Sequence, residues 1–216
     1  MAKVIKSATV HGAWIDAVGD LLQAPKPIDN LLLEVTDPLR CAPLWLTAHC
    51  PRSLGLGVDS IRNVANTIFP ERQLSSFSSR ADFYSHFAQV YSRGGRARRN
   101  RYAWGTYYQR LTDYGDLHLN QLERAVACMC RWQTPSLTAF VFHLSAADRD
   151  GPRKRGAPCL QYIELLDHGL NGLGLVAVYR NHDYFGKVLG NLIGLSRLIR
   201  FVCDATGRHS GSLVCH

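Results

Sequence analysis

The segment from Pro158 to Leu195, PCLQYIELLDHGLNGLGLVAVYRNHDYFGKVLGNLIGL, constrains this chain more than any other stretch. It opens on a cysteine behind a proline and runs through apolar sequence into Tyr179-Arg180-x-x-Asp183, with Asn191 eight residues further on. Leu173 to Tyr179 is apolar and valine-containing, which predicts a strand, and the glycines at 169 and 172 supply the turn before it. Asn191 to Val202 has helical periodicity with its polar side at Ser196, Arg197 and Arg200. A cysteine, an arginine, an aspartate and an asparagine at the ends of apolar elements are the parts needed to hold an anionic, hydrogen-bonding ligand beside a nucleophile.

The 216 residues, 46% hydrophobic and 19% charged, suit one domain spanning 1–216 that buries a full core. No apolar run reaches the length of a membrane span, and the start, MAKVIKSATVHG, lacks the apolar core of a secretory signal, so a soluble cytoplasmic protein is expected. Seven cysteines, an odd number spread through the chain, argue for reduced thiols rather than a disulfide framework. The formal charge of +8 points to an anionic partner. Much of it is local, since RGGRARRNR at 93–101 carries five arginines. That run is either a solvated loop or a phosphate-capturing one; no nucleic-acid-binding motif accompanies it, so nucleic acid is an unlikely partner.

Elsewhere, His11 to Leu22 has apolar positions three and four apart, a helix that Pro25 and Pro27 end. Asn30 to Val35 predicts a strand. Ser60 to Phe69 predicts a helix capped by Asp59 and stopped by Pro70, and Ala81 to Tyr91 a second with a core stripe at 83, 84, 87 and 91. Leu117 to Trp132 predicts a helix that places Cys128 and Cys130 on different faces, and Pro135 to Leu144 a strand. Asp148 to Gly156 reads as a polar loop. Cys203, His209, Cys215 and His216 follow no common metal-ligand spacing, so no metal site is assigned. Strands and helices alternate irregularly, the pattern of an α+β fold.

Cys159 alone reads either as a small buried hydrophobe or as a nucleophile. Arg180 favours the second reading, because a neighbouring guanidinium favours a thiolate and also forks onto phosphate. The Asn191 carboxamide, with one acceptor and two donors, matches the O4 and N3–H edge of a uracil ring.

At these residues the sequence resembles thymidylate synthase and the related pyrimidine nucleotide hydroxymethylases. Pro158-Cys159-Leu160, an apolar strand, Tyr179-Arg180-x-x-Asp183 and Asn191 follow the family's order, with 21 positions between Cys159 and Arg180. Gly105-Thr106-Tyr107-Tyr108-Gln109-Arg110 is similar to its G-x-Y-G turn, and Asn120-Gln121-Leu122 to its D-Q-L helix start. The resemblance covers about residues 104 to 214 and implies a three-layer fold with a mixed sheet, assembled as a homodimer. It implies that Cys159 adds to C6 of a uracil nucleotide and that 5,10-methylenetetrahydrofolate supplies a one-carbon unit to C5. Arg180 would bind the phosphate and activate Cys159, Asn191 and Tyr107 would contact the nucleotide, and Asp183, catalytic together with Cys159 and Arg180, would with Gly186 contact the folate. The departures are Ser136-Leu137-Thr138 in place of an arginine pair, and Asn66 or Glu71 where the family has a helix glutamate. The family's His-x-Tyr motif and closing segment have no counterpart within residues 1–216.

Overall fold

The computed structural model describes residues 2–25, 28, 30–40, 61–92, 105–132, 134–151 and 156–216. Cys41, Cys50, Asp59, the arginine run at 93–101 and Arg153 lie outside them. The chain is an α+β fold built on a six-stranded mixed sheet of order β1-β2-β6-β5-β4-β3. The strands are β1 (Lys3–Ser7), β2 (Leu31–Val35), β3 (Phe140–His143), β4 (Leu160–Asp167), β5 (Leu173–Tyr179) and β6 (Ser210–Cys215). The β1–β2 and β5–β6 pairs are parallel; the β2–β6, β3–β4 and β4–β5 pairs are antiparallel. Helices α1 (Val10–Gln23), α2 (Ile61–Ile68), α3 (Glu71–Leu74), α4 (Arg80–Ser92), α5 (Tyr107–Thr112), α6 (Gln121–Arg131), α7 (Ala147–Asp150) and α8 (Val188–Thr206) complete the described residues.

Burial alternates along most of the sheet, interrupted at Leu160–Tyr162 in β4 and at the start of β5 and β6, so one face of the sheet is core and the other is not. Ile5, Leu31, Leu33, Val35, Phe140, Phe142, Ile163, Leu165, Leu175, Ala177 and Leu213 face the helices and are buried. Helix α8 lies against them with Val188, Leu192, Leu195, Leu198, Ile199 and Val202 all fully buried. Each such side chain contributes about 1.5–3 kcal/mol when taken out of water. The opposite face carries Val4, Leu32, Val141, Tyr162, Leu166, Val176, Val178 and Val214, none of them buried. Val4 is 60% exposed and Val141 and Tyr162 37% each.

Helix α2 approaches α8 unusually closely. A Cβ on Gly190 would stand 2.6 Å from the Val64 Cβ, and one on Gly194 would stand 2.8 Å from the Ile68 Cβ and 2.9 Å from the Ala65 carbonyl oxygen. Two glycines four apart on one helix face thus set the spacing of the pair.

Several expected elements shift. Helix α6 begins at Gln121 rather than 117, because the Asn120 side chain accepts from the Glu123 amide and caps it, while Leu117 sits 92% exposed in the turn before. Strand β3 is confined to 140–143, since only those residues pair with β4. The polar loop at 148–156 contains α7, and Asp150 is buried against the Arg110 guanidinium, whose Nη2 donates to it at 3.0 Å. The region after Gly207 is a strand, with Cys215 buried and Cys203 buried in α8. All five described cysteines are free. No helix among the described residues is long and apolar enough to cross a membrane.

Gly194→Ala is expected to lower the melting temperature: overpacking of 1–3 kcal/mol outweighs the roughly 1 kcal/mol gained in helix propensity. Gly19→Ala in α1, where an added Cβ meets nothing within 4 Å, is expected to raise it. Thermal denaturation of the two variants checks both signs.

Candidate active site

The carboxyl end of β5 and the amino end of β4 are ladder neighbours, with Leu160 opposite Tyr179. Antiparallel pairing therefore brings Cys159, just before β4, against Arg180, just after β5. The Arg180 amide donates to the Cys159 carbonyl at 2.9 Å. Its guanidinium turns back along the same segment, Nε donating to the Pro158 carbonyl at 3.1 Å and Nη2 to the Ala157 carbonyl at 3.2 Å. Nη1 makes no hydrogen bond to a described residue, and Arg180 is exposed, so part of its fork faces outward.

Tyr107 closes the third side. Thr106 caps α5 by accepting from the Gln109 amide, which sets Tyr107 at the first position of the helix. The Tyr107 hydroxyl accepts from the amides of Cys159 and Leu160, both at 3.3 Å. Burial pushes its phenol up to about 12. Arg110, one turn on, is held by Asp150 and donates to the Leu144 carbonyl at 2.9 Å. Gln121 clips the same region, its Nε2 donating to the carbonyls of Arg110 at 3.0 Å and His143 at 2.8 Å. Tyr107 and Arg180, 52 positions before and 21 after Cys159, thus both bond the backbone that carries the cysteine, and the sequence around Gly105–Arg110 and Asn120–Leu122 acts as the brace that holds them.

Asp183 and Gly186 share the turn that leads into α8. The Asp183 Oδ1 accepts from the Gly186 amide at 2.9 Å, and its carbonyl accepts from the amides of Lys187 and Val188. A Cβ on Gly186 would fall 2.5 Å from the Asp183 carboxylate, so a larger residue there would push that side chain out of its turn. Asn191 stands in the first turn of α8, 5% exposed, its amide bonded to the Lys187 carbonyl. No hydrogen bond among the described residues joins its carboxamide to Cys159 or Arg180. Asn66 and Glu71 are drawn elsewhere: Asn66 Oδ1 accepts from Arg197 Nη1 at 3.0 Å, and Glu71 pairs with Arg197 and Arg200. Ser136 and Thr138, on the loop before β3, remain near the surface.

The sequence reading passed over two residues flanking Arg180. Tyr179 points inward from the last position of β5 and is 3% exposed. The His182 ring stacks on it with centroids 3.9 Å apart and planes at 28°, and meets Tyr184 edge-on at 5.5 Å. Trp14 Nε1 donates to the Tyr184 carbonyl at 2.7 Å, tying α1 to this loop. Their adjacency to Arg180 was visible in the sequence; the inward turn of Tyr179 comes from strand alternation, which the apolar run alone does not phase.

No protein-family model matches this sequence and no curated protein matches it.

Burial, reinforced by His216, holds the His182 imidazole down at about 3, against an ordinary 6.5. In the unfolded chain this ring takes up a proton near 6.5, while the folded chain keeps it neutral until about 3. Its contribution to stability is therefore complete above 6.5 and is lost as pH falls through that window. His11, also lowered by burial, acts in the same direction. The melting temperature is expected to fall between pH 7 and 4, and less steeply in His182→Phe; identical slopes in the two proteins count against a neutral buried ring.

Proposed function

We propose that this chain transfers a one-carbon unit to C5 of a uracil nucleotide, as thymidylate synthases do, with Cys159 as the nucleophile. The observation that carries this reading is the convergence of Tyr107, Cys159 and Arg180 from three distant stretches, with Arg180 bonded to the backbone that presents the cysteine. An exposed guanidinium with an outward Nη1 suits a nucleotide phosphate. Cys159 Sγ adds to C6, and the electron pair of the C5–C6 double bond moves toward the C4 carbonyl, making C5 nucleophilic. Asn191 orients the ring through its amide edge. C5 gains the one-carbon unit and loses its proton, and expulsion of Cys159 restores the double bond.

5,10-Methylenetetrahydrofolate supplies the one-carbon unit when bound, with hydride for a methyl product or with water completing a hydroxymethyl one. Asp183 would hold it as an acceptor: an exposed carboxylate with one oxygen accepting from the Gly186 amide in its own turn keeps acceptor capacity for N–H groups of a pterin.

The face of the sheet opposite the helices carries Val4, Leu32, Val141, Tyr162, Leu166, Val176, Val178 and Val214 among the charged Lys6, Glu34 and Glu164, and these partly exposed apolar side chains support pairing of two copies sheet to sheet. We place the protein in the cytoplasm with its soluble substrates.

Tritium release from [5-³H]dUMP, with and without methylene tetrahydrofolate, is expected in the natural protein and absent in Cys159→Ser, with dUMP binding kept; equal release by the two proteins removes the nucleophile assignment. Arg180→Ala is expected to weaken dUMP by about 10- to 100-fold and deoxyuridine little, as for the loss of one charged hydrogen-bonding contact. In sedimentation velocity at micromolar concentration, the natural protein is expected as a dimer and Val178→Glu as a monomer.

A further inference from the structure

Among the described residues, the side chains of His11, Tyr108, Tyr179 and His182 hold buried polar atoms with no hydrogen-bond partner. Two of the four stand side by side at the Cys159 end of the sheet. An unpaired polar group kept out of water opposes folding, so one retained next to a nucleophile calls for a use. The geometry supplies one. Tyr179 is the ladder partner of Leu160, its ring stands edge-on to Tyr107 at 6.4 Å, and the residue after it bonds to Cys159. Its phenol is raised well above the usual range by burial, with smaller contributions from the Cys215 thiol, Tyr107 and Cys159. Tyr179 and Arg180 are successive residues at the strand end, one buried and one exposed. The exposed member offers charge; the buried one offers a neutral hydroxyl that both donates and accepts.

We propose that Tyr179 is a ligand-contacting residue whose hydroxyl hydrogen-bonds the uncharged polar edge of the pyrimidine brought to Cys159, with His182 as a positioning residue that holds the phenol ring by stacking. The inference rests on the reading of this site as a pyrimidine nucleotide site and adds a residue to it. It divides the ligand between two neighbours: Arg180 takes the phosphate and Tyr179 the base. The face-to-face contact at 3.9 Å makes the His182 role one of shape, so any flat ring at 182 preserves it.

The test is calorimetric titration of the full chain with dUMP and, separately, with deoxyribose 5-phosphate, which lacks the base. Tyr179→Phe is expected to weaken dUMP by about 3- to 10-fold, the loss of one neutral hydrogen bond, and to leave the sugar phosphate within about two-fold. The same variant is expected to melt about 2–4 °C higher, since it removes an unpaired buried hydroxyl. That opposition of signs separates a ligand contact from a structural role. His182→Phe is expected to keep dUMP affinity and His182→Ala to lose it. Unchanged dUMP affinity in Tyr179→Phe, or an equal loss for both ligands, overturns the inference and leaves the nucleotide reading standing. Binding of neither ligand by the natural protein overturns both.

Discussion

The close approach of α8 to α2 governs much of this structure. A helix buried along most of its length must satisfy the sheet on one side and another helix on a second, and Gly190 and Gly194 let the backbones come near enough for both. Where α8 begins then decides where the loop from Arg180 to Lys187 runs, and that loop carries Asp183, Gly186 and His182. The same contact draws Arg197 onto Asn66 and Arg200 onto Glu71. Asn66 and Glu71 thereby tie α2 and α3 to α8 instead of reaching Cys159.

The second constraint is the β4–β5 ladder. Antiparallel pairing turns residues far apart in sequence into neighbours, and strand alternation gives the successive residues Tyr179 and Arg180 opposite surroundings, one buried and one exposed. Around this frame the ion pair of Arg110 with Asp150 and the three hydrogen bonds of Gln121 form a brace that fixes Tyr107 against the cysteine. Removing either partner of that ion pair would leave a buried charge uncompensated, so single substitutions at Arg110 or Asp150 are costly.

How much of this was legible in the residues depends on the range of the interactions that decide each element. The long helices were plain, because apolar periodicity over three or more turns is a local signal. The α+β class followed from the irregular alternation of these helices with the strands at 30–35, 135–144 and 173–179. Strands β1, β4 and β6 were not recognised: KVIKS buries only Ile5, LQYIELLD breaks its alternation at the register shift between Leu160 and Tyr162, and SGSLVC opens on small polar residues. Their pairing is set by partners far along the chain. Asp150 was read as loop for the same reason, its burial being decided by Arg110 forty positions earlier. Of the candidate site, Tyr107, Cys159, Arg180, Asp183, Gly186 and Asn191 were read from the sequence, while Tyr179 and His182 required knowing which way a strand end faces.

The place of β6 in the sheet has a consequence for how the protein is made. Residues 210–215 slot between β2 and β5, so the unit formed by β1, α1 and β2 has no sheet neighbour except through them. Residues 210–215 must be synthesised before β2, at 31–35, finds its second sheet neighbour. Until then both β2 and β5 present open backbone to the cell, a state that invites mispairing. Pairing strands so distant in sequence raises the mean separation of contacting residues, which slows folding.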